Sequence, residues 1–395
     1  MDAILVVNAG SSSTKFAAYD HCTAPGTLRL LGRGRIALVG NEVEFLVRDQ
    51  NGAVLAQSRS PSPNCSFDQD AALGHLFAWL AAHRGGLTLG AVGHRVVHGG
   101  QDFVVPVRVS AAVLENLEGL IPLAPLHQPH NLQAIRILRK TLPQVPQVAC
   151  FDTAFHHTQP ALAQEFALPK SLTASGVRRY GFHGLSYEYI AGQLPGVLGA
   201  QAYGKVIVGH LGNGASLCAM NNCVSVASTM GFSTLDGLMM GSRCGALDAG
   251  VVLYLLQQRG MDAAQISDLL YHQSGLLGVS GISSDMQVLL ASEVPAAAAA
   301  IALFVYRIVC EIGALSAAMG GLDALVFTGG IGEHAAPIRA RVVDGCRWLG
   351  ARQDPVANAR GATRFETPDS RLQLCMLPTD EETIIAQHVV RCMVD

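Results

Sequence analysis

The sequence has few charged and few aromatic side chains: 14% of its 395 residues are charged and 6% are aromatic. Half of the residues are hydrophobic, so the chain can bury a large core without disulfides or structural metals. The formal net charge is -3, and the sequence lacks a long basic run that could bind a phosphate backbone. These features exclude a disordered chain and argue against a nucleic-acid partner.

The ten cysteines lack C-x-x-C spacing, which is typical of buried thiols in a reducing compartment. The first residues, MDAILVVNAG, contain neither a basic segment nor a cleavage site, so we expect no signal peptide. The apolar stretch 296–321 carries Arg307 and Glu311, whose charges would be costly in lipid. We therefore predict a buried helix there, no membrane association and a cytoplasmic protein.

Two common motifs for nucleotide and metal binding are missing. AGSSSTK at residues 9–15 lacks the spacing of a Walker loop and precedes a strand pattern instead of a helix. Histidines occur in pairs, His94 with His98 and His127 with His130, but without H-E-x-x-H or finger spacing. We expect hydrogen-bonding histidines. A metallohydrolase is the alternative, and metal analysis of the purified protein would test it.

Apolar strand patterns are followed by small polar or glycine-rich turns at three places. Residues 3–7 lead into such a turn, residues 205–209 lead into HLGNGAS, and residues 325–334 read LVFTGGIGEH. Helical spacing is found at 69–83, 131–141, 249–259, 263–271 and 295–319. This order predicts an α/β chain with an internal duplication. We predict a surface loop at 58–69 and a domain boundary near 143–146.

The glycine-rich turns GNG, at 212–214, and TGGIGEH, at 328–334, each follow an apolar strand. Glycine turns can hold phosphate oxygens because they offer convergent N–H donors without a Cβ. Each turn alone is equally consistent with an ordinary connection.

Four charged residues are candidates for phosphate, carboxylate or metal binding. Arg95 and Arg243 lie beside glycines, and a guanidinium offers a planar fork of donors to oxyanions; surface salt bridges are the alternative. Asp152 follows an apolar strand and is either a helix cap or a magnesium ligand. Glu381, with its neighbour Glu382, offers a second oxygen site or simply begins a helix after Thr379 or Asp380.

Together these segments resemble the acetate kinase family over nearly the whole chain. The motifs VVNAGSSSTK, RRYGFHG, HLGNGAS, GLMMGSRCG and PTDEET occur in the family's order. The resemblance implies an α/β, two-domain fold of the actin, hexokinase and Hsp70 type, with duplicated ribonuclease-H-like cores. It implies an acyl-substrate-side domain at 1–150, to which the tail 385–395 returns, a nucleotide-binding domain at 151–384, and a homodimer.

The activity that the resemblance implies is reversible phosphoryl transfer from ATP to acetate, giving acetyl phosphate and ADP. Mg²⁺ would be the cofactor, with Mn²⁺ as a substitute. A propionate or butyrate kinase of the same family is one alternative. The other is a non-enzymatic Hsp70-like nucleotide-binding protein, which would need a peptide-binding domain that the sequence does not show after the nucleotide region.

The resemblance also assigns roles to residues, position by position. The implied catalytic residues are Arg95, His127, Asp152, His183 and Arg243. The implied acyl pocket consists of Arg95, Val97, Leu126 and Phe182, and the implied metal ligands are Asn8 and Glu381. The implied nucleotide-binding residues are Lys15, His210, Gly212, Asn213, Gly214, Asp285, Met286, Gln287, Gly329, Gly330, Ile331 and Gly332.

The sequence departs from the family pattern at four positions. Thr234 replaces a usual proline before GLMMG, which bears on the shape of the acyl pocket. Gln287 stands where an arginine is expected near the ribose or adenine. Gln128 and Ala246 replace a usual asparagine and a usual aspartate. We therefore expect a reduced affinity for ATP.

Overall fold

The computed structural model describes residues 3–10, 13–21, 28–62, 67–83 and 88–394. The strands are β1 (Ala3–Ala9), β2 (Ser13–Asp20), β3 (Arg29–Val39), β4 (Glu42–Arg48), β5 (Val54–Pro61), β6 (Leu89–Val96), β7 (Val107–Arg108), β8 (Gln147–Phe151), β9 (Lys205–Leu211), β10 (Ala215–Asn221), β11 (Val224–Ser228), β12 (Ala324–Thr328) and β13 (Gln373–Met376).

The α-helices are α1 (Gln69–His83), α2 (Ala111–Gly119), α3 (Gln128–Thr141), α4 (Ala161–Gln164), α5 (Lys170–Ala174), α6 (Gly184–Leu198), α7 (Ala249–Gln257), α8 (Ala263–His272), α9 (Gly275–Ser280), α10 (Met286–Ala291), α11 (Pro295–Met319), α12 (Gly329–His334), α13 (Ala336–Gly345), α14 (Pro355–Ala359) and α15 (Glu381–Val394).

The chain divides into two compact units. The first comprises Met1–Ala154 and Asp380–Asp395, and the second comprises Phe155–Thr379.

The first unit is built on a mixed sheet whose described strands lie in the order β5-β4-β3-β2-β1-β6-β8-β7. Strand β1 is antiparallel to β2 and parallel to β6, which is parallel to β8. One face packs against α1 and α3 through buried residues such as Leu73, Val92 and Leu138. Helix α15 packs against β1, β6 and β8. A Cβ at Gly93 would lie 2.5 Å from the Ile385 side chain, so glycine lets this helix approach the sheet closely.

The second unit repeats this plan in a smaller sheet, with described strands in the order β11-β10-β9-β12-β13. Strand β9 is antiparallel to β10 and parallel to β12, and β12 is parallel to β13. This matches the order and direction of β3-β2-β1-β6-β8, so the predicted duplication is present in the strand order.

The long helix α11 is a core element of the second unit. By length and composition it could cross a membrane. It contacts β9, β10 and β11, however, and buries an apolar face along its length that includes Ile301, Phe304 and Ile308. The predicted buried helix is thus confirmed for this face alone, because Leu303 and Tyr306 of the same helix are exposed.

Most predicted helices begin and end close to the predicted residues, and the observed bounds of α1 and α11 equal the predicted ones. The loop predicted at 58–69 was wrong for Ser58–Pro61, which belongs to β5 and pairs with β4; residues 63–66 lie outside the described residues. The polar sequence misled because nearly all of β5 is exposed. Exposed strands lack the apolar alternation by which strands are predicted.

Candidate functional site

Three candidate residues of the first unit meet at one edge of its sheet. Asn8 lies near the end of β1, Arg95 lies near the end of β6, and Asp152 directly follows β8. Arg95 donates from Nε to Asp152 Oδ1 at 3.1 Å and from Nη2 to Asp152 Oδ2 at 2.5 Å. Its Nη1 donates to Asn8 Oδ1 at 3.3 Å. Neighbouring parallel strands thus hold a guanidinium group beside a carboxylate and an amide oxygen at their carboxyl ends. In open α/β sheets, ligands usually bind at this edge.

The Arg95–Asp152 pair is buried: the side chain of Asp152 is 1% exposed and that of Arg95 19%. Burial alone would lower the pKa of Arg95, but the charges of Asp152 and Glu381 outweigh it and raise the pKa. The surface salt bridge considered for Arg95 was therefore wrong, because a desolvated bidentate pair is a different interaction.

The first turn of α15 brings two further carboxylates toward this pair. Asp380 accepts a hydrogen bond from the backbone N–H of Thr383 at 3.0 Å, so it is the N-cap, and its other oxygen accepts from Arg33 at 2.7 Å. The negative charges of Glu381 and Glu382 both act on Arg95. The two glutamates thus begin a helix, which was one of the two alternatives predicted for them. They also lie near the candidate site.

Lys15 also belongs to the first unit, where it lies opposite Asn8 in the β1–β2 pair. Burial raises the pKa of Glu382, with a further rise from the charge of Glu381, whereas the Lys15 charge lowers it. The structure therefore places Lys15 near the start of α15.

The remaining candidates of the first unit differ in exposure. Val97 is buried, and its N–H donates to Asn131 Oδ1 at 2.9 Å. Leu126 is exposed, and half-buried His127 directly precedes α3. The buried Gln128 side chain bonds to both the N–H and the carbonyl of His98, which gives this departure from the family pattern a structural role.

In the second unit His183 directly precedes α6 with φ of 58°, a left-handed conformation that is uncommon for a residue with a Cβ. Its Nδ1 lies 2.9 Å from Ser216 Oγ, which in turn lies 2.5 Å from Tyr187 Oη. Its ring stacks on His210 with centroids 4.3 Å apart. The imidazole is therefore held on one edge and one face.

The side chains of Arg243 and His183 converge on the GNG turn between β9 and β10. A Cβ at Gly214 would lie 2.9 Å from Arg243 Nη2 and 3.3 Å from His183 Nε2. Arg243 also donates from Nη1 to the carbonyl of Thr234 at 2.6 Å. A glycine at this position leaves room for a ligand oxygen to meet both donors.

The predicted nucleotide-binding segments lie next to this turn. A Cβ at Gly241 would lie 2.0 Å from Asn213 Oδ1 and 3.2 Å from the carbonyl of Ser284, just before α10. Gly329, with φ of 75°, packs against the backbone of Leu211. Asp285 caps α10 by accepting from the N–H of Gln287 at 2.8 Å. The structure therefore gathers the segments at 212–214, 285–287 and 329–332.

Three supporting residues were not singled out from the sequence, although each lies within or near a motif. They are Tyr187, Ser216 and Glu333. Glu333 Oε1 accepts from the hydroxyl of Thr328 and from the N–H groups of Gly329 and Thr379. The glycines of the motif indicated where the loops are. A glycine pattern does not show, however, which side chain fixes a loop by hydrogen bonds.

The histidines considered for zinc have hydrogen-bonding roles at two of the four positions. His94 Nε2 lies 2.8 Å from Gln147 Oε1, and His98 Nδ1 accepts from the N–H of Gly100 at 2.9 Å. Burial lowers the pKa of each to about 4. Within the described residues, no group of three or more His, Cys, Asp or Glu side chains could hold a metal ion.

The two sheets of matching strand order, with glycine turns after the central strands, define a two-domain actin-like ATPase fold. The Acetokinase family model matches residues 3–387, and the chain belongs to this family of phosphotransferases. An acetate kinase of Rhodopseudomonas palustris is 56% identical over 393 residues, which cover 99% of this chain and 98% of that protein. An acetate kinase of Nitrobacter hamburgensis is 49% identical over 399 residues, 100% and 97% of the two chains.

Solved structures agree with this assignment. A propionate kinase from Francisella tularensis superposes with a TM-score of 0.90 at 36% identity, covering 98% of this chain and 99% of its own. An acetate kinase from Porphyromonas gingivalis superposes with a TM-score of 0.86 at 34% identity over the whole of both chains. The similarity in fold therefore extends over both units.

Proposed function

We propose that the protein catalyses reversible transfer of the γ-phosphoryl group of ATP to acetate, giving acetyl phosphate and ADP. The observation that carries this proposal is the convergence of Arg243 Nη2 and His183 Nε2 on the space beside Gly214. These donors suit a phosphoryl group, whose three equatorial oxygens carry charge during transfer. The relatives named acetate kinase support acetate as the acceptor.

In this mechanism the side chains position anions and neutralise charge. Acetate is ionised at neutral pH, so its carboxylate attacks without a strong base. We assign Arg95 to the acetate carboxylate, and Arg243 and His183 to the oxygens of the phosphoryl group. In the same assignment His127 is a further donor to that group, and we assign Val97, Leu126 and Phe182 to the acyl group of the substrate.

We assign the first unit to the acyl substrate and the second to the nucleotide. The turns at 212–214 and 329–332, with residues 285–287, would bind ATP through backbone N–H groups. His210 supports this region by stacking on His183. Lys15, although in the first unit, is retained as a candidate for the terminal phosphate because ammonium groups bind phosphate.

The oxygen donors of the first unit fit Mg²⁺. Asn8, Asp152 and Glu381 offer hard oxygen atoms, and Mg²⁺ typically takes one or two carboxylates together with substrate phosphates and water. We propose that Asn8 and Glu381 hold the ion and that Asp152 orients its surroundings while paired with Arg95. Bound Mg²⁺, or Mn²⁺ in its place, would neutralise charge on the ATP phosphates.

We further propose a homodimer formed through an apolar surface of the second unit. Helix α7 has no buried residue, yet exposes Val251, Leu253, Tyr254 and Leu256. A helix that exposes so many apolar side chains typically packs against a partner. Tyr254→Glu should convert a dimer into a monomer in light scattering. Leu162→Glu, a change at an equally apolar but separate exposed site, should leave the mass unchanged.

A cytoplasmic location is also proposed. Among the described residues, the cysteines that are thiols include Cys218, Cys223, Cys244, Cys310, Cys346 and Cys375. Thiols of this number are typical of a reducing compartment.

A hydroxamate assay tests the function directly. Protein, ATP, Mg²⁺, a carboxylate and hydroxylamine should give acyl hydroxamate, with acetate the best of acetate, propionate and butyrate. The propionate kinase named above makes propionate the nearest rival, and one methylene is worth only about 1 to 3 kcal/mol of discrimination. A preference for propionate would correct the substrate, and no product from any of the three would refute the enzyme class.

A further inference from the structure

Tyr187, Ser216 and His183 form a short hydrogen-bonded row behind the candidate phosphoryl site. Tyr187 lies one helical turn after His183, since α6 begins at Gly184. Tyr187 Oη lies 2.5 Å from Ser216 Oγ, and Ser216 Oγ lies 2.9 Å from His183 Nδ1. Tyr187 and Ser216 are both fully buried. Water therefore does not compete for these hydroxyl groups.

The direction of the first hydrogen bond follows from the acidity and the surroundings of the phenol. A phenol is a far stronger acid than an aliphatic alcohol, so the Tyr187 O–H donates to Ser216 Oγ, 2.5 Å away. Burial raises the pKa of Tyr187 well above its usual value, so the phenol keeps the proton that it donates.

The direction of the second bond then follows by counting hydrogens. Ser216 has one hydroxyl hydrogen, and its oxygen accepts from Tyr187. It therefore donates that hydrogen to His183 Nδ1. A neutral imidazole that accepts at Nδ1 carries its proton on Nε2. Nε2 is the nitrogen that lies 3.3 Å from the Cβ position at Gly214, on the side of Arg243.

We propose that Tyr187, acting through Ser216, is a positioning residue that holds neutral His183 in the tautomer protonated on Nε2, aimed at the transferring phosphoryl group. This inference rests on the proposed function for its catalytic meaning. The tautomer itself does not depend on that function. With Nε2 protonated, His183 can donate a hydrogen bond to a phosphoryl oxygen without first becoming a cation, and a cation there would face Arg243.

The tautomer can be measured by ¹⁵N NMR of protein labelled at histidine, with the His183 signals assigned from His183→Gln. In the wild type we expect a protonated Nε2 and an unprotonated Nδ1 for His183 at a pH where the ring is neutral. In Tyr187→Phe and Ser216→Ala we expect signals of mixed tautomers. A protonated Nδ1 in the wild type would overturn the proposal, whether or not the protein makes acetyl phosphate.

Kinetics supply the second test. Tyr187→Phe should lower kcat about tenfold, the order expected for one hydrogen bond, with the KM values for ATP and acetate unchanged. Because the phenol acts through the serine, the double variant Tyr187→Phe/Ser216→Ala should be no slower than Ser216→Ala alone. Multiplying losses in the double variant would show that Tyr187 acts independently of Ser216 and would contradict the proposal.

Tyr180→Phe is the matched control. Tyr180 is also buried in the second unit, and its phenol donates to the Gly176 carbonyl at 2.8 Å. We expect this variant to leave the ¹⁵N signals of His183 and kcat unchanged. If Tyr187→Phe fails to fold, the wild-type spectrum and Ser216→Ala still decide the question. If the wild type shows the expected tautomer but makes no acyl phosphate, the proposed function fails and the positioning inference keeps only its structural part.

Discussion

Asp152 accepts two hydrogen bonds from Arg95 while the carboxylate itself is almost fully buried. Breaking a buried pair leaves one charge without compensation and costs about 3 to 5 kcal/mol. Asp152→Leu should therefore lower the free energy of unfolding by that order and abolish acyl phosphate formation. Urea unfolding and the hydroxamate assay measure the two effects.

The double variant Arg95→Leu/Asp152→Leu separates structure from catalysis. Replacing both charges with apolar side chains removes the buried charge, so most of the stability should return. Activity should stay absent because Arg95, which we propose binds the acetate carboxylate, is gone. Stability no better than in Asp152→Leu would contradict this account of the pair.

Arg243→Ala should collapse turnover and leave the fold intact. The side chain is partly exposed, and its bond to the Thr234 carbonyl has a charged donor, so its loss should cost about 1.5 to 3 kcal/mol of stability. An arginine on a transferring phosphoryl group is worth about 10³ to 10⁵ in kcat. Arg347→Ala removes an exposed pair with Asp344 in the same unit and is the control. Near-normal kcat in Arg243→Ala would remove Arg243 from the mechanism.

Gly241→Ala should weaken ATP binding. The added Cβ would lie 2.0 Å from Asn213 Oδ1, so the Asn213 side chain must move from its present position in the GNG turn. We expect the KM for ATP to rise about tenfold or more, which corresponds to about 1.4 kcal/mol. Gly192→Ala, in open space on α6, should leave this KM unchanged and gain about 0.5 to 1 kcal/mol of stability. Equal KM values in both variants would refute the role of the Asn213 contact.

Glu381→Gln should raise the concentration of Mg²⁺ needed for half-maximal activity, and Glu382→Gln should raise it less. Both charges raise the pKa of Arg95, but the effect of Glu381 is the larger, which agrees with a position nearer the site. Loss of a ligand should cost about tenfold or more in metal affinity. Activity measured against free Mg²⁺ and Mn²⁺ tests this, and the reverse order would make Glu382 the ligand.

Stability should fall as the pH is lowered from about 6.5 to about 4. Burial lowers the pKa of His94, His98 and His156 from 6.5 to about 4 in the folded state. In this range the unfolded chain therefore binds more protons than the folded protein, and acid favours unfolding. Urea midpoints should show this slope and a shallower one in His94→Gln. His272→Gln, a change at an exposed position, should keep the wild-type slope.

The sequence could predict the elements that carry a local pattern. The glycine turns and the strand ending at Asp152 were read from a few neighbouring residues, and the structure has them. The partners of these residues were less accessible. Ser216 and Tyr187 are 29 residues apart, and Arg33 and Asp380 are 347 residues apart. Such pairs depend on sheet register and on helix packing, which no local periodicity encodes.

Substrate preference shows the same limit. Thr234 was identified as a departure from the family, and the structure adds that its backbone carbonyl accepts a hydrogen bond from Arg243. A backbone contact of this kind survives many substitutions. The sequence therefore indicated where specificity could differ without showing what the position does.

The first unit includes α15, which follows the whole second unit in the sequence and packs against β1, β6 and β8. During synthesis on the ribosome, the second unit is complete in sequence before α15 has been made. Ile385 and Val389 contact the surface around Gly93 in the folded protein. This surface therefore stays exposed while more than two hundred residues are translated. Nascent chains of this protein should consequently need protection by chaperones at their N-terminal half, and truncation within the last helix should harm the first unit most.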